Sequence, residues 1–256
     1  MFATTYKPPT LALTIAALAL AAVPGARAAD EIPFGEARIF FELNDTDGDL
    51  GIHSLIDGDP WKFLEIEDPR ERRILSVAPT GRLRTHGLTE LAFESAEPTF
   101  DELPPAAFFA RFPEGVYEIS GITLEGQELE SAARLSHLLP GPPQNVRVNG
   151  VPAAENCDAS NIPTVRPPVA ITWDPVTRSH PELGKQGPAK VFRYQVFAEQ
   201  RKSDPLKYSL DLPPTITRYV VAPELIALGD KQYKFEIQVR EVNGNQTAVE
   251  SCFNVR

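Results

Sequence analysis

The chain has 256 residues, 42% of them apolar and 23% charged, with a formal net charge of −10, two cysteines and one methionine. That apolar share is too high for a disordered chain, and the negative charge sets it against nucleic acid and anionic lipid surfaces, which would repel it. There are 25 prolines, well above the usual share of about 5%, which favours short strands joined by turns over long helices.

In chain order, the first feature is an apolar run from Leu11 to Val23. Lys7 precedes it, and Pro24, Gly25 and the triplet Ala26, Arg27, Ala28 follow, which is the pattern of a secretory signal peptide cleaved after Ala28. The 13 residues of this run would rise only about 20 Å as a helix, short of a hydrocarbon core of about 30 Å. Cleavage is therefore expected in preference to anchoring. No later stretch is long and apolar enough to span a bilayer. No cysteine near the cleavage site invites a lipid. The expected location is secreted or periplasmic, without membrane insertion after cleavage. In such an oxidising compartment the even pair Cys157 and Cys252 reads most simply as one disulfide, with two free thiols or a thiolate metal pair as the alternatives.

Residues 29–140 are expected to form an acidic, β-rich domain. Ile39, Phe41 and Leu43 alternate with more polar neighbours, Ile52 to Ile56 forms a second run, and Asp57-Gly58-Asp59-Pro60 supplies turn chemistry before Trp61 to Ile66, its expected hairpin partner. Further strands are expected at Ile74 to Val77, Glu90 to Phe93, Val116 to Thr123 and Glu128 to His137, the last two joined through Glu125-Gly126-Gln127. One short helix interrupts them at Pro104 to Phe112, where Leu103, Ala107, Phe108 and Phe112 fall at helical spacing. Thr99 or Asp101 is its expected cap, and an open sheet face its expected cover.

The motif with chemical content here is Asn44-Asp45-Thr46-Asp47-Gly48-Asp49-Leu50-Gly51. Carboxylates at alternate positions around a glycine can converge on a hard cation at about 2.3 to 2.6 Å, so calcium is the expected cofactor if there is one. The opening resembles the start of an EF-hand-like or thrombospondin-type calcium loop. It departs from that pattern at Leu50, where a glycine is wanted, and at Ile56, where a bidentate carboxylate is wanted. Counting Leu50 as an insertion brings Gly51 and Asp57 into those places. The expected ligands are then Asp45, Asp47, Asp49 and Asp57; the competing reading is a solvated polar turn.

Leu138-Leu139-Pro140-Gly141-Pro142-Pro143 can continue neither a helix nor a central strand, so a domain boundary is expected at residue 140. Residues 29–140 hold 23 acids against nine bases, and residues 141–256 hold 12 against 14. A partner chosen by charge would meet the first half and would be cationic.

In residues 141–256 apolar residues recur at period two: Val146 and Val148; Val169, Ile171 and Trp173; Tyr194, Val196 and Ala198; Tyr233, Phe235, Ile237 and Val239. In the last run Lys234, Glu236, Gln238 and Arg240 alternate with them, so one face is dry and the other wet. The order P-x-N-V-x-V, Trp173-Asp174-Pro175, Y-x-V-x-A, Leu228-Gly229, Y-x-F-x-I-x-V and Asn243-Gly244-Asn245 resembles a fibronectin type III domain. The resemblance implies an immunoglobulin-like sandwich of seven strands, with Trp173 buried between sheets and the Tyr233 hydroxyl bonded to nearby backbone. The connection from Gly150 to Pro168 is longer than that pattern, and a Cys157–Cys252 bond would be an addition to it.

The four histidines, His53, His86, His137 and His180, show no metal-ligand spacing, and each is expected as a surface or strand residue. No serine-nucleophile or phosphate-loop motif occurs. The expected function is a non-catalytic exported binding or scaffold protein whose partner is a protein or glycan at the cell surface. The alternative is a carbohydrate-active enzyme, with Glu90, Glu94 and Glu97 as nominal acids.

Overall fold

The computed structural model describes residues 31–202, 205–227, 229 and 231–256; the expected signal segment and Leu228 lie outside the described residues. The chain is mostly β, built around two apolar cores.

The first core is enclosed by β1 (Glu36–Asn44), β2 (Asp49–Glu67), β3 (Arg73–Val77), β4 (Leu88–Glu94), β5 (Gly115–Thr123) and β6 (Glu128–Leu135), with short helices α1 (Gly81–His86) and α2 (Pro105–Arg111). Alternation drives Ile39, Phe41 and Leu43 of β1 inward, where they meet Ile52, Trp61, Leu64 and Tyr117. Helix α2 lays Phe108 and Phe109 on this core, and both rings meet Phe41 edge-on.

Three expectations are corrected here. Residues 57–60 do not turn the chain back. β2 runs through them as one strand that bends, its first half paired with β1 and β4 and its second with β3 and β5. Gly58 lies close over Phe34, where a Cβ would stand 2.9 Å from the ring, and Pro60 brings no amide, so these residues make a corner while both flanks stay paired. Second, the described residues of this half hold two helices, not one. α1 buries none of its residues and so carries no apolar period to read. Third, neither Thr99 nor Asp101 caps α2. Its first position follows Pro104, and Thr99 bonds Glu102 in the turn before it.

The second core lies between two sheets. One is ordered β13 (Arg218–Val220), β10 (Ala170–Thr172), β7 (Arg147–Val148), β8 (Val151–Pro152). The other contains β12 (Lys207–Leu212), β11 (Val191–Gln200), β14 (Gln232–Glu241) and β15 (Gln246–Val255) in that spatial order. This is a fibronectin type III-like sandwich. Trp173 is buried against the edge of Tyr194, and the Tyr233 hydroxyl donates to the carbonyls of Leu225 and Ile226 in α3 (Pro223–Ile226), as the resemblance implied. The long 150–168 connection is held to β15 by β9 (Thr164–Val165), which pairs with it in parallel, by the disulfide Cys157–Cys252, and by the Ser251 hydroxyl, which donates to the Ala154 carbonyl at 2.8 Å.

The two cores share one sheet. β1 pairs in parallel with β15, Glu42 opposite Gln246 and Asn44 opposite Ala248, so the eight-strand path β12-β11-β14-β15-β1-β2-β5-β6 is unbroken. Pro140 to Pro143 are buried at this junction. The 180–187 loop of the second half crosses to the first, placing Leu183 on its core, while Lys185 pairs with Glu114 at 2.6 Å. Thr247 and Asn243 donate to the carbonyls of Pro140 and Leu138 at 2.7 and 2.9 Å.

Candidate functional site

The hairpin of β1 and β2 closes on Asn44 and Asp49, leaving four residues in its turn. The Asn44 side-chain carbonyl accepts from the amides of Thr46 and Asp47, and Gly48 takes φ 67°, which glycine adopts without strain. The three acids of the turn have different neighbours. Asp45 faces His180 at 2.8 Å, Asp47 accepts from the Asn44 side chain at 3.1 Å, and Asp49 lies within electrostatic reach of Glu97, Asp47 and Glu250. Asp57 pairs opposite Glu36 at the far end of the hairpin, eight residues from Asp49, or about 26 Å along an extended strand. The expected calcium set of Asp45, Asp47, Asp49 and Asp57 is therefore not brought together.

His180 is likewise no surface residue. It is 6% exposed, and its Nδ1 accepts the amide protons of Glu182 and Leu183. Its proton therefore sits on Nε2 and is donated to Asp45, so a charge of the acidic turn ties the two halves together.

The convergence of groups occurs elsewhere, on the outward face of the shared sheet. Because residue 42 stands opposite 51 and residue 40 opposite 53, Phe40, Glu42, Gly51 and His53 project from one face, and Glu94 joins them directly opposite His53. The chain after β4 then folds back over Gly51. A Cβ there would stand 2.5 Å from the Glu97 carboxylate, so only glycine leaves that side chain room to reach His53. His53 Nε2 lies 3.1 Å from Glu97 Oε1 and 4.0 Å from Glu42 Oε2. The imidazole is stacked on Phe40, ring centroids 5.5 Å apart.

On the same face, across β15, stand Lys234, Glu236, Gln238 and Arg240 of β14. With Glu42, His53 and Glu94 they line a half-open groove of about 430 Å³ whose floor is the continuous sheet. Carboxylates outnumber cations in it. Burial and then the nearby Glu42 and Glu250 push the Glu236 carboxyl up to about 7. Burial and then Glu97 push Asp49 up to about 6. The Glu42 carboxyl is raised chiefly by burial, with the facing His53 opposing the rise. Burial would lower the Lys234 ammonium, but its 2.5 Å pair with Glu250 holds it above the usual lysine range. Arg240, lowered by burial and by Arg193, bonds Gln238 at 3.0 Å and also Gln195.

Of the nominal acids, Glu94 and Glu97 do meet, whereas Glu90 pairs opposite Asp57 further along β4. Oxygens of Glu94 and Glu97 and the His53 nitrogen all lie within 4.8 Å of one another, closer than the roughly 5 to 9.5 Å that separates acid and base across a glycosidic bond.

No family model matches the chain, and no curated protein matches it. Among solved structures, the chicken CNTN1 FN1–FN3 domains align at 9% identity with a TM-score of 0.34, over 89% of this chain and 66% of that one. The 47-kilodalton lipoprotein Tp47 of Treponema pallidum aligns at 9% identity and 0.32, over 91% and 52%. A 1.5-MDa bacterial ice-binding adhesin aligns at 11% and 0.25, over 88% and 66%. The chain thus spans between half and two thirds of these structures, and its fold class rests on the strand order described above.

Proposed function

We propose that the chain is an exported, non-catalytic binding or scaffold protein that presents the outward face of its shared sheet to a protein or glycan at the cell surface. The observation that carries this reading is the β1–β15 pairing, which joins two cores through backbone hydrogen bonds and makes their polar faces one surface. The disulfide supports an oxidising, extracytoplasmic location, and the signal-like segment agrees with it. The mixed charges of the groove suit a polar partner that can satisfy Glu236 and Arg240 together.

A second reading, a carbohydrate-active enzyme, rests on the carboxylates that line the groove, with Glu94 as its nominal acid. One experiment separates the two. The immobilised protein is exposed to surface extracts and a glycan panel, and the captured species is titrated against wild type and the charge reversals Glu236→Lys and Arg240→Glu. Saturable binding lost in both variants supports the binding role. Turnover of a glycoside that disappears in Glu94→Gln would replace it with the enzymatic one.

A further inference from the structure

We propose that His53, Glu94 and Glu97, with Glu42 as a fourth donor, form a site for one divalent transition-metal ion of the zinc(II) class. It stands apart from the binding role above, since either can hold without the other.

The donors come from three separate strands and the segment after β4, and they converge from residues 42 to 97 because the hairpin register and the β2–β4 pairing put them side by side. A tetrahedral ion with bonds of about 2.0 to 2.2 Å keeps its donors about 3.3 to 3.6 Å apart. The separations here, 3.1 Å from His53 to Glu97, 4.0 Å from His53 to Glu42, and all within 4.8 Å for His53, Glu94 and Glu97, bracket that value. Small side-chain rotations close the difference.

Two features of the surroundings hold the donors in place. Stacking on Phe40 fixes the imidazole plane and aims Nε2 at the carboxylates. The missing Cβ of Gly51 leaves the space through which Glu97 approaches. Without a metal, Nε2 can donate to the Glu97 carboxylate; an ion bound there takes the lone pair of Nε2 and leaves the neutral imidazole protonated on Nδ1.

The donor chemistry selects the ion. An imidazole nitrogen beside carboxylate oxygens suits zinc and its neighbours, whereas calcium and magnesium take oxygen ligands. Glu94 is exposed and His53 half-buried, so the ion would face the groove with room for a water or a partner's donor.

The test is equilibrium dialysis of the chelator-stripped, full folded chain against zinc(II), with calcium(II) in a parallel arm and cobalt(II) as a spectroscopic probe. The expected result is about one zinc per chain at micromolar free metal, a raised thermal midpoint, no uptake of calcium, and a cobalt spectrum of mixed nitrogen and oxygen ligation. His53→Ala and Glu97→Gln should each weaken uptake at least about tenfold, while His86→Ala, on the exposed α1, should not. Failure of the wild type to take up zinc or give that cobalt spectrum at about 100 μM metal, far above the affinity expected of such a site, would overturn the proposal. So would undiminished uptake by both variants. Glu97→Gln keeps the side chain's shape, so its folding can be matched to wild type in chelator before uptake is compared.

Discussion

The Asn245 side chain accepts the amide proton of Phe41 at 2.9 Å across 204 positions of sequence. Its amide group donates in turn to the carbonyls of Ser136 and Leu138 at 2.7 and 2.8 Å. One wholly buried side chain thus satisfies backbone groups of β1 and of the segment leaving β6 from the turn before β15. Asn245→Ala strands the Phe41 amide and the Ser136 carbonyl at the junction and leaves the Leu138 carbonyl to Asn243 alone. It should cost about 2 to 4 kcal/mol, read as a lower midpoint in urea unfolding; a loss under about 0.5 kcal/mol, the scale of an ordinary surface substitution, would show that the junction is not held there.

The disulfide closes a loop of 95 residues and pins the 150–168 connection to β15. The chain-entropy relation gives about 4 to 5 kcal/mol for such a loop. Cys157→Ser with Cys252→Ser should lower stability by up to this amount while leaving the spectroscopic signature of the folded state unchanged. Unfolding curves with and without reductant provide the same comparison without a substitution.

The crowded acids give an unusual pH dependence. Glu236 and Asp49 have folded-state values near 7 and 6, above their ordinary values of 4.5 and 3.8. In that interval the folded chain binds more protons than the unfolded one. Their stabilisation is complete below about pH 4 and disappears as pH rises through 7. For Asp68 and Glu114 the sign reverses. Both are net lowered: burial raises them, but bonds from Arg72 and Arg70 for Asp68, and from Lys185 and His137 for Glu114, outweigh it. Their stabilisation is present above their ordinary values and is lost as pH falls through the lowered ones. Stability in chelator should therefore peak near pH 4 to 5 and decline toward pH 7, by about 2 to 3 kcal/mol at most from the buried Glu236 and by less from Asp49, which solvent screens. Glu236→Gln should flatten that decline, and an unchanged slope would remove Glu236 as its source.

Gly51→Ala tests how the acidic groove is built. The new methyl would stand 2.5 Å from the Glu97 carboxylate, which is flexible enough to swing away. The expected outcome is a fold destabilised by about 1 kcal/mol or less, with the His53–Glu97 hydrogen bond broken and metal uptake reduced as in Glu97→Gln. Histidine NMR shifts report on that bond directly.

Much of this architecture was legible in the alternation of single strands. Tyr233 to Val239 announce a half-buried strand, and the Trp173 and Tyr233 environments follow from the fibronectin-like pattern. Elements whose shape depends on distant neighbours were not legible. Residues 57–60 have the composition of a turn, yet both flanks find partners, so they bend a strand. The acidic residues 45–49 read as a cation loop with Asp57, but spacing does not give the hairpin register, which puts Asp57 at the opposite end from Asp49. Glu94 and Glu97 were visible as acids, but their meeting with His53 required the register of β2 against β4. The hairpin centred on residues 45–48 did hold one usable signal, since it places Glu42 opposite Gly51 and Phe40 opposite His53.

The central claim is that two cores form one mechanical body through β1 and β15. Scanning calorimetry of the mature chain tests it most directly. A single transition whose calorimetric and van't Hoff enthalpies agree, shifting as a whole in Asn245→Ala, is the predicted result. Two resolved transitions, only one of them sensitive to Asn245→Ala, would contradict it.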